Sequence, residues 1–471
     1  MAGILLLPLL QGCSRKEAKT IVINSDDDLA GLTVSCSNGN YYERKYSARE
    51  DVKVFATNSE TDAIQAVRQG LADVFVSDEV MLSQADMERL GMKMALRGEE
   101  SFDVAFALRK GNRDLQQKLN DFISTAPVGR IIDHWINGGP DVAEAAGADP
   151  GAAPLRIIAC VNMEPVSYIG DGGKWLGMDI DILRSFAASL GRPLDIQYQD
   201  LSSAIIALQT GLTDVVSGCL FITDERKQSV DFSIPYYQCH PGYFVLDKAA
   251  TNHLSFGERL KMNLVTESRW KLLVDGLLET LKITFFAILL GTLLGIGVCA
   301  AKRSRKGWLR KAAAVYGSFI DGIPTLVLLL IMFYVVFAGA GFSASLVAII
   351  TFALCFAASA GNIFDTSISS VPKGQTEAGL SLGFTPLKTF TGIVFPQALR
   401  KGLPLFIGEC VALLKGTSIV GYIAVQDLTR ASDLIRSRTF DAFIPLLIVT
   451  VLYFVLAWLI RRLLNLFLLK K

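Results

Sequence analysis

The sequence predicts two structural classes in one chain: two α/β lobes first, then an all-α membrane part of five spans. Three observations carry this. Of the 471 residues, 51% are hydrophobic and 19% charged, with a mean hydropathy of +0.39. That balance excludes a disordered chain and an ordinary soluble enzyme. The formal net charge of +1 is a cancellation: residues Lys271 to Lys471 hold 20 basic and 9 acidic groups, and the remainder 26 basic and 36 acidic. The basic half is also the apolar half, which argues against nucleic-acid binding. Finally, the twelve residues Ala63–Val74 (AIQAVRQGLADV) recur as Ala204–Val215 (AIIALQTGLTDV). Each copy reads as a helix stopped at Gly and followed by a strand.

Residues 1–19 begin with an apolar run, Ile4–Leu10, followed by Leu-Gln-Gly-Cys ending at Cys13. This resembles a lipoprotein signal with Cys13 as the lipidated residue, although no Lys or Arg precedes the run. Export of the next 260 or so residues is expected from either a cleaved or an uncleaved leader. Cys36, Cys160, Cys219 and Cys239 then lie where disulfides are permitted. No Cys-x-x-Cys pattern occurs and the histidines, His134, His240 and His253, are isolated, so no metal or other cofactor is expected. No GxxxxGK[ST] loop is present, so the chain carries no P-loop ATPase of its own.

The two copies of the repeat sit in matching contexts, each after a strand, Val52–Ala56 and Leu194–Tyr198. They divide the exported part into 20–138 and 155–250, joined by a 139–154 linker rich in Ala, Gly, Pro and Asp. Two such lobes suggest a cleft that binds a ligand. An enzyme is disfavoured, since no nucleophile–base pair or metal cluster stands out.

The motifs make this specific. GMDIDI (177–182), ITDERK (222–227) and VDFSIPYY (230–237) resemble lobe 1 of the polar amino-acid periplasmic binding proteins. Asp28–Val34, Gly39, Asp73 and Ser77-Asp78-Glu79 resemble lobe 2, and Ala107–Asn112 with the helices ending near Trp135 resembles the return of that family to lobe 1. The resemblance implies the type II, Venus-flytrap fold. The order is rotated: lobe 2 and the return come first, lobe 1 after the linker. A circular permutation, with new ends near Thr20 and Leu246, accounts for this; remnants of two tandem binding domains are the other account.

The resemblance also implies the ligand contacts. Arg226 stands where the family binds the carboxylate of an amino acid, which a guanidinium matches with two parallel hydrogen bonds. Asp78 matches the residue that takes the ammonium. Gly39, Asn40 and Tyr41 lie at a helix start whose free N–H groups would suit the carboxylate. Gly218 and Phe221 line the site, Phe221 where Ser or Thr is usual, and Met163 stands where an aromatic ring is common. Glu164 and Asp200 would favour a cationic side chain. The bland alternatives are an ion pair with Asp224 or Glu225 for Arg226, and a helix cap for Asp78.

After a connector, 251–275, the domain 276–471 is expected to be membrane-spanning. Five segments are apolar enough to cross: Leu281–Ala301, Ile323–Ala338, Ala344–Gly361, Leu403–Ala424 and Phe443–Leu468. Basic residues cluster after the first span, after the third and in the tail, which places those segments and the C-terminus in the cytoplasm and residues before 275 outside. Arg430, Arg436 and Arg438 in an outer loop are a mild counter-signal.

Glu377-Ala378-Gly379, then Gly383 and Ile393-Val394-Phe395-Pro396, resemble the EAA loop (371–396) of ABC importer permeases. Leu414–Ser418 and Asp427–Ala431 resemble the polar amino-acid (His/Gln/Arg-type) permeases. The resemblance implies that Glu377, Ala378, Gly379 and Gly383 form a coupling helix docking on a separate ABC ATPase subunit. It also implies a permease dimer, expected to be a homodimer, in a bacterial inner membrane. The expected function is an amino-acid importer subunit that joins substrate binding to permeation and is not itself an enzyme. A membrane receptor or ligand-gated channel with the same ectodomain is the alternative.

Overall fold

The computed structural model describes residues 21–138, 149, 151–170, 174–247, 255–338 and 341–468. Cys13 with the rest of the leader, most of the linker, and Lys470 and Lys471 lie outside them.

Among the described residues, fourteen strands run through the α/β part. The first seven are β1 (Thr33–Ser37), β2 (Lys53–Thr57), β3 (Val74–Asp78), β4 (Met92–Arg97), β5 (Phe102–Val104), β6 (Ala107–Arg109) and β7 (Leu155–Ala159). The others are β8 (Tyr168–Ile169), β9 (Trp175–Leu176), β10 (Leu194–Tyr198), β11 (Val215–Ser217), β12 (Val230–Phe232), β13 (Tyr237–Cys239) and β14 (Pro241–Leu246). Two five-stranded sheets result, ordered β2-β1-β3-β14-β4 in lobe 2 and β10-β7-β11-β6-β12 in lobe 1. The orders correspond strand for strand. In each, the fourth strand is antiparallel and comes from chain that has just left the other lobe.

The boundary expected at 155–250 therefore needs one correction: β14 belongs to the sheet of lobe 2. It is almost wholly buried there, and so wins an apolar slot between β3 and β4 that nothing in residues 21–138 fills. The helices Arg113–Thr125 and Val128–Asn137 pack on lobe 1, where Leu115, Leu119, Val128 and Ile131 share a core with Ile157 and Phe186. The chain passes between lobes through β5 and β13, which form an antiparallel two-stranded ladder.

Local rules explain the repeat. Ser59 and Asp200 cap the helices Glu60–Arg68 and Leu201–Gln209 by accepting the N–H groups of Asp62 and Ser203. Ala63, Ala66 and Val67 in one, and Ala204, Ala207 and Leu208 in the other, are buried on one face. Both helices end where Gly70 and Gly211 adopt positive φ, +74° and +77°.

Among the described residues, four helices are long and apolar enough to cross a membrane: Thr266–Lys302, Ala344–Ser369, Pro386–Ile423 and Phe443–Leu466. The first two meet closely because Gly291 and Gly295 present no side chain; a Cβ at either would lie 2.8 Å from the Ala353 carbonyl oxygen or 2.9 Å from Ala360 Cβ. The span expected at Ile323–Ala338 departs from the sequence reading. It is the second half of a bent pair, Gly307–Gly322 and Thr325–Val336, at 103°. Pro324 cannot donate to a helix and holds Ile323 extended (φ −112°, ψ 129°), which breaks the rod. Among the described residues the membrane part thus has four long apolar helices, and up to five spans if the bent pair counts as one.

Candidate ligand cleft and its seat on the membrane helices

A cavity of about 750 Å³ lies between the lobes and over one end of the membrane-part helices. Seven of the eight expected ligand residues line it: Asn40, Tyr41, Asp78, Met163, Gly218, Phe221 and Arg226.

Gly39 does not line it. Its N–H donates to Glu43 Oε2 at 2.5 Å, the Asn40 N–H reaches Ser37 O at 3.4 Å, and the Asn40 side chain accepts the Glu43 N–H at 2.8 Å. The helix Tyr41–Ser47 therefore starts where expected, but the donors at Gly39 and Asn40 are already spent. Gly218 differs in the same way. Its N–H donates to Asp179 Oδ2 at 2.9 Å, and its role is steric, since a Cβ there would sit 3.1 Å from Cys160 Cβ at φ +134°.

Arg226 is held by a short capped helix, Asp224–Ser229, in which the Thr223 hydroxyl accepts the Arg226 N–H at 3.3 Å. Its guanidinium donates to the Phe221 carbonyl at 3.1 Å. Among the described residues it makes no ion pair with Asp224 or Glu225; Asp224 pairs with Lys227, and Glu225 crosses to Arg44 of lobe 2. Burial lowers the Arg226 pKa, reinforced by Arg44 and opposed by Cys160 and Asp78.

Asp78 ends β3, every residue of which is buried. It stands at a cap position yet makes no side-chain cap bond; instead it accepts the Tyr42 hydroxyl at 3.0 Å. Burial pushes its carboxyl up to about 8, opposed by the Tyr42 hydrogen bond and assisted by the charge of Glu60.

Glu60 escaped the sequence reading. It opens the helix Glu60–Arg68, where an acid is unremarkable on dipole grounds. Here it lines the cavity. Burial pushes it up to about 7, with Ser37, Ser77 and Asn40 beside it pulling the other way. Its Oε2 and the Ser37 hydroxyl are buried without a hydrogen-bonding partner.

Phe221, 4% exposed, bridges the lobes. Its ring stacks on Phe102 at 4.6 Å and meets Tyr42 and Tyr41 of lobe 2 at 6.0 and 6.1 Å. Met163 is buried and paired in the backbone with Ser167. Asp200 lines the cavity while capping Ser203, but Glu164 lies outside the lining and pairs with Arg438 at 2.8 Å.

The third wall comes from the membrane part: Ser418, Gly421 and Tyr422, and the helix Leu428–Thr439. That helix touches both lobes. Arg436 pairs with Asp62 of lobe 2 at 3.0 Å, and Arg430 donates to Tyr198 O of lobe 1 at 2.8 Å while lying 4.3 Å over its ring. Asn162 of lobe 1 donates to the Ser437 hydroxyl. Phe440, 2% exposed, inserts into the core of lobe 2, where Gln65 and Arg68 donate to its carbonyl. The arginines that weakened the topology rule are thus occupied at this interface.

At the opposite end of the helices, Lys373–Ser381 forms the expected short helix. Gly383 ends it at φ +82°, with the Gly383 and Phe384 N–H groups returning to Leu380 O and Gly379 O at 3.0 and 3.1 Å. Glu377 and Ala378 are exposed and Gly379 is buried. A Cβ at Gly379 would lie 2.6 Å from Thr389 Cγ2, which explains Gly where Ala is usual. Leu380, Leu382, Phe384 and Leu387 form an exposed apolar face beside it.

Comparison with known proteins fits these two halves. The model of the bacterial extracellular solute-binding proteins, family 3, matches residues 155–389. The L-cystine transport system permease protein TcyB of Bacillus subtilis is 35% identical over 199 residues, 41% of this chain and 84% of that protein. The "Probable amino-acid ABC transporter permease protein YckA" of the same organism is 35% identical over 181 residues, 38% of this chain and 80% of that one. A crystal structure of an amino acid ABC transporter with histidines is 31% identical, covering 47% of this chain and all of its own, at a TM-score of 0.42. With the solute-binding domain ahead of it in the same polypeptide, this chain belongs to the family of amino-acid ABC transporter permeases.

Proposed function

We propose that the chain is an importer subunit that captures an amino acid outside the cell and delivers it to its own membrane helices. The observation that carries this reading is the shared cavity: lobe 1, lobe 2 and the outer ends of the helices wall one space. Arg226 and Asp78, which face it, are the groups a zwitterion requires, because both ligand charges need partners once water is removed. The α/β part is read as a circularly permuted type II binding protein, supported by the matching sheet orders and by each lobe receiving its fourth strand from the other. A separate ABC ATPase docks at Glu377, Ala378, Gly379 and Gly383. This is supported by the exposed apolar face of Leu380, Leu382, Phe384 and Leu387 on a rigidly turned loop. The binding domain lies outside and the C-terminus inside, following the basic residues. Two copies form the pathway, with the bent pair counted as a fifth span of each. Fusion keeps the binder at high effective concentration over its pore.

Proteoliposomes containing the full chain and its ATPase test this. ATP enclosed on the side of the 371–396 loop should drive amino acid accumulation from the opposite side. Flux that only follows the gradient, with or without ATP, would support the channel reading instead.

A further inference from the structure

We propose that the substrate carries a second cationic group, a diamino or guanidino acid, with Glu60 receiving that group while Asp78 takes the α-ammonium and Arg226 the carboxylate. This deepens the reading above and rests on the cavity being the ligand site.

The argument is a charge inventory. Most ionisable residues lining the cavity are already engaged. Asp62 and Asp433 share Arg436 at 3.0 and 3.1 Å. Asp200 caps the Ser203 N–H at 3.0 Å. Asp427 accepts the Arg430 N–H at 2.9 Å and the Tyr453 hydroxyl at 3.2 Å. Arg430 itself is used by Tyr198. The groups left are Arg226, Asp78 and Glu60. Like Asp200 and Asp427 they make no ion pair among the described residues, but neither carboxylate accepts a backbone N–H as those two do, Asp78 having only the Tyr42 hydroxyl. They are one guanidinium against two carboxylates, Asp78 only 6% exposed and Glu60 with a buried Oε2 that accepts no hydrogen bond.

A neutral amino acid supplies one carboxylate and one ammonium. It satisfies Arg226 and one acid and leaves the other acid buried without a counter-charge, an arrangement that costs several kcal/mol when ionised. A ligand with two cationic centres and one carboxylate closes the balance. Tyr41, Tyr42 and Phe221 cluster in the cavity lining, and the face of a ring attracts a cation. The sequence reading located a cationic preference at Glu164 and Asp200. The structure moves it, because Glu164 is bound to Arg438 and Asp200 to a helix end.

Isothermal titration of the full chain in detergent with L-lysine, L-ornithine, L-norleucine and L-glutamine decides the matter. Lysine or ornithine should bind at least about a hundredfold more tightly than norleucine, which has the same carbon chain as lysine without the second charge. Glu60→Gln should remove that preference, lysine affinity falling to about that of norleucine, and Glu60→Asp should retain part of it. Should Glu60→Gln fail to fold, the lysine and norleucine comparison on the natural protein still decides. Glutamine or norleucine binding as tightly as the diamino acids, or lysine affinity indifferent to Glu60→Gln, would overturn the inference while leaving an amino-acid site in place. No heat from any amino acid would overturn the ligand-site reading itself.

Discussion

Arg436 of the helix Leu428–Thr439 and Asp62 of lobe 2 are joined at 3.0 Å, although 374 residues separate them in the chain. The pair lies at the cavity wall, and Asp433 holds the same guanidinium from one helical turn away. A partly exposed pair contributes only about 0.5 kcal/mol on its own, so its value is registration: it fixes lobe 2 over the helix ends. Arg436→Ala is expected to lower uptake several-fold while leaving amino-acid affinity within about twofold. The exchanged pair, Arg436→Asp with Asp62→Arg, should recover part of the loss. Uptake and binding measured on the same preparations check this.

The pKa values at the cavity carry a sign for stability. Glu60 rises from an ordinary 4.5 to about 7 and Asp78 from 3.8 to about 8, both chiefly through burial. Between those limits the folded protein holds more protons than the unfolded one, so stability falls as pH rises from about 4.5 toward 8. In Glu60→Gln, only the share of this fall carried by Glu60, between about pH 4.5 and 7, should disappear, on the order of 1–2 kcal/mol for the unliganded protein, while the share carried by Asp78 remains. Chemical denaturation of natural and variant chains at several pH values measures it.

The turn of the 371–396 loop has two glycines with different duties. Gly383 is left-handed at φ +82° with open space around it, so Gly383→Ala should cost about 1 kcal/mol through backbone strain, and Gly383→Asn less. The test is protease resistance of the loop together with ATPase stimulation; the two should decline in parallel.

Gly379 is limited by crowding instead. Restoring the usual Ala would push a Cβ against Thr389 Cγ2 at 2.6 Å and Ile393 Cδ1 at 3.0 Å. Gly379→Ala is therefore expected to impair coupling by itself, and Thr389→Ala to rescue it, a non-additive pair. An additive double variant would argue that the contact is unimportant.

Much of this was legible because it is local. The repeat, the Gly383 turn and the long apolar helices follow from short-range pattern, and the structure has each of them. What escaped depends on distant packing. Glu60 looks like any acid in a first helical turn until Ser37, Ser77 and Asn40 close around it. The helix Gly307–Gly322 was hidden by its basic residues, which read as a loop, and Ile323-Pro324 turned an expected span into half of a bent pair. Strand β14 could not be assigned to lobe 2 from residues 241–246 alone, because its partners β3 and β4 lie about 150 residues earlier in the sequence. The free N–H groups expected at Gly39 and Asn40 were lost to Glu43 and Ser37, a competition that no motif records.

The burial of Phe440 in lobe 2 divides the labour of motion. Lobe 2 takes an aromatic side chain from the membrane part into its own core, and its Gln65, Arg68 and Arg89 grip the adjoining carbonyls. Lobe 1 is attached more lightly, through Asn162, Tyr198, Glu164 and the packing of Tyr334 against one of its hydrophobic clusters. Opening of the cleft about β5 and β13 is therefore expected to leave lobe 2 in place and to move lobe 1, breaking the contacts of Tyr198 with Arg430 and of Asn162 with Ser437.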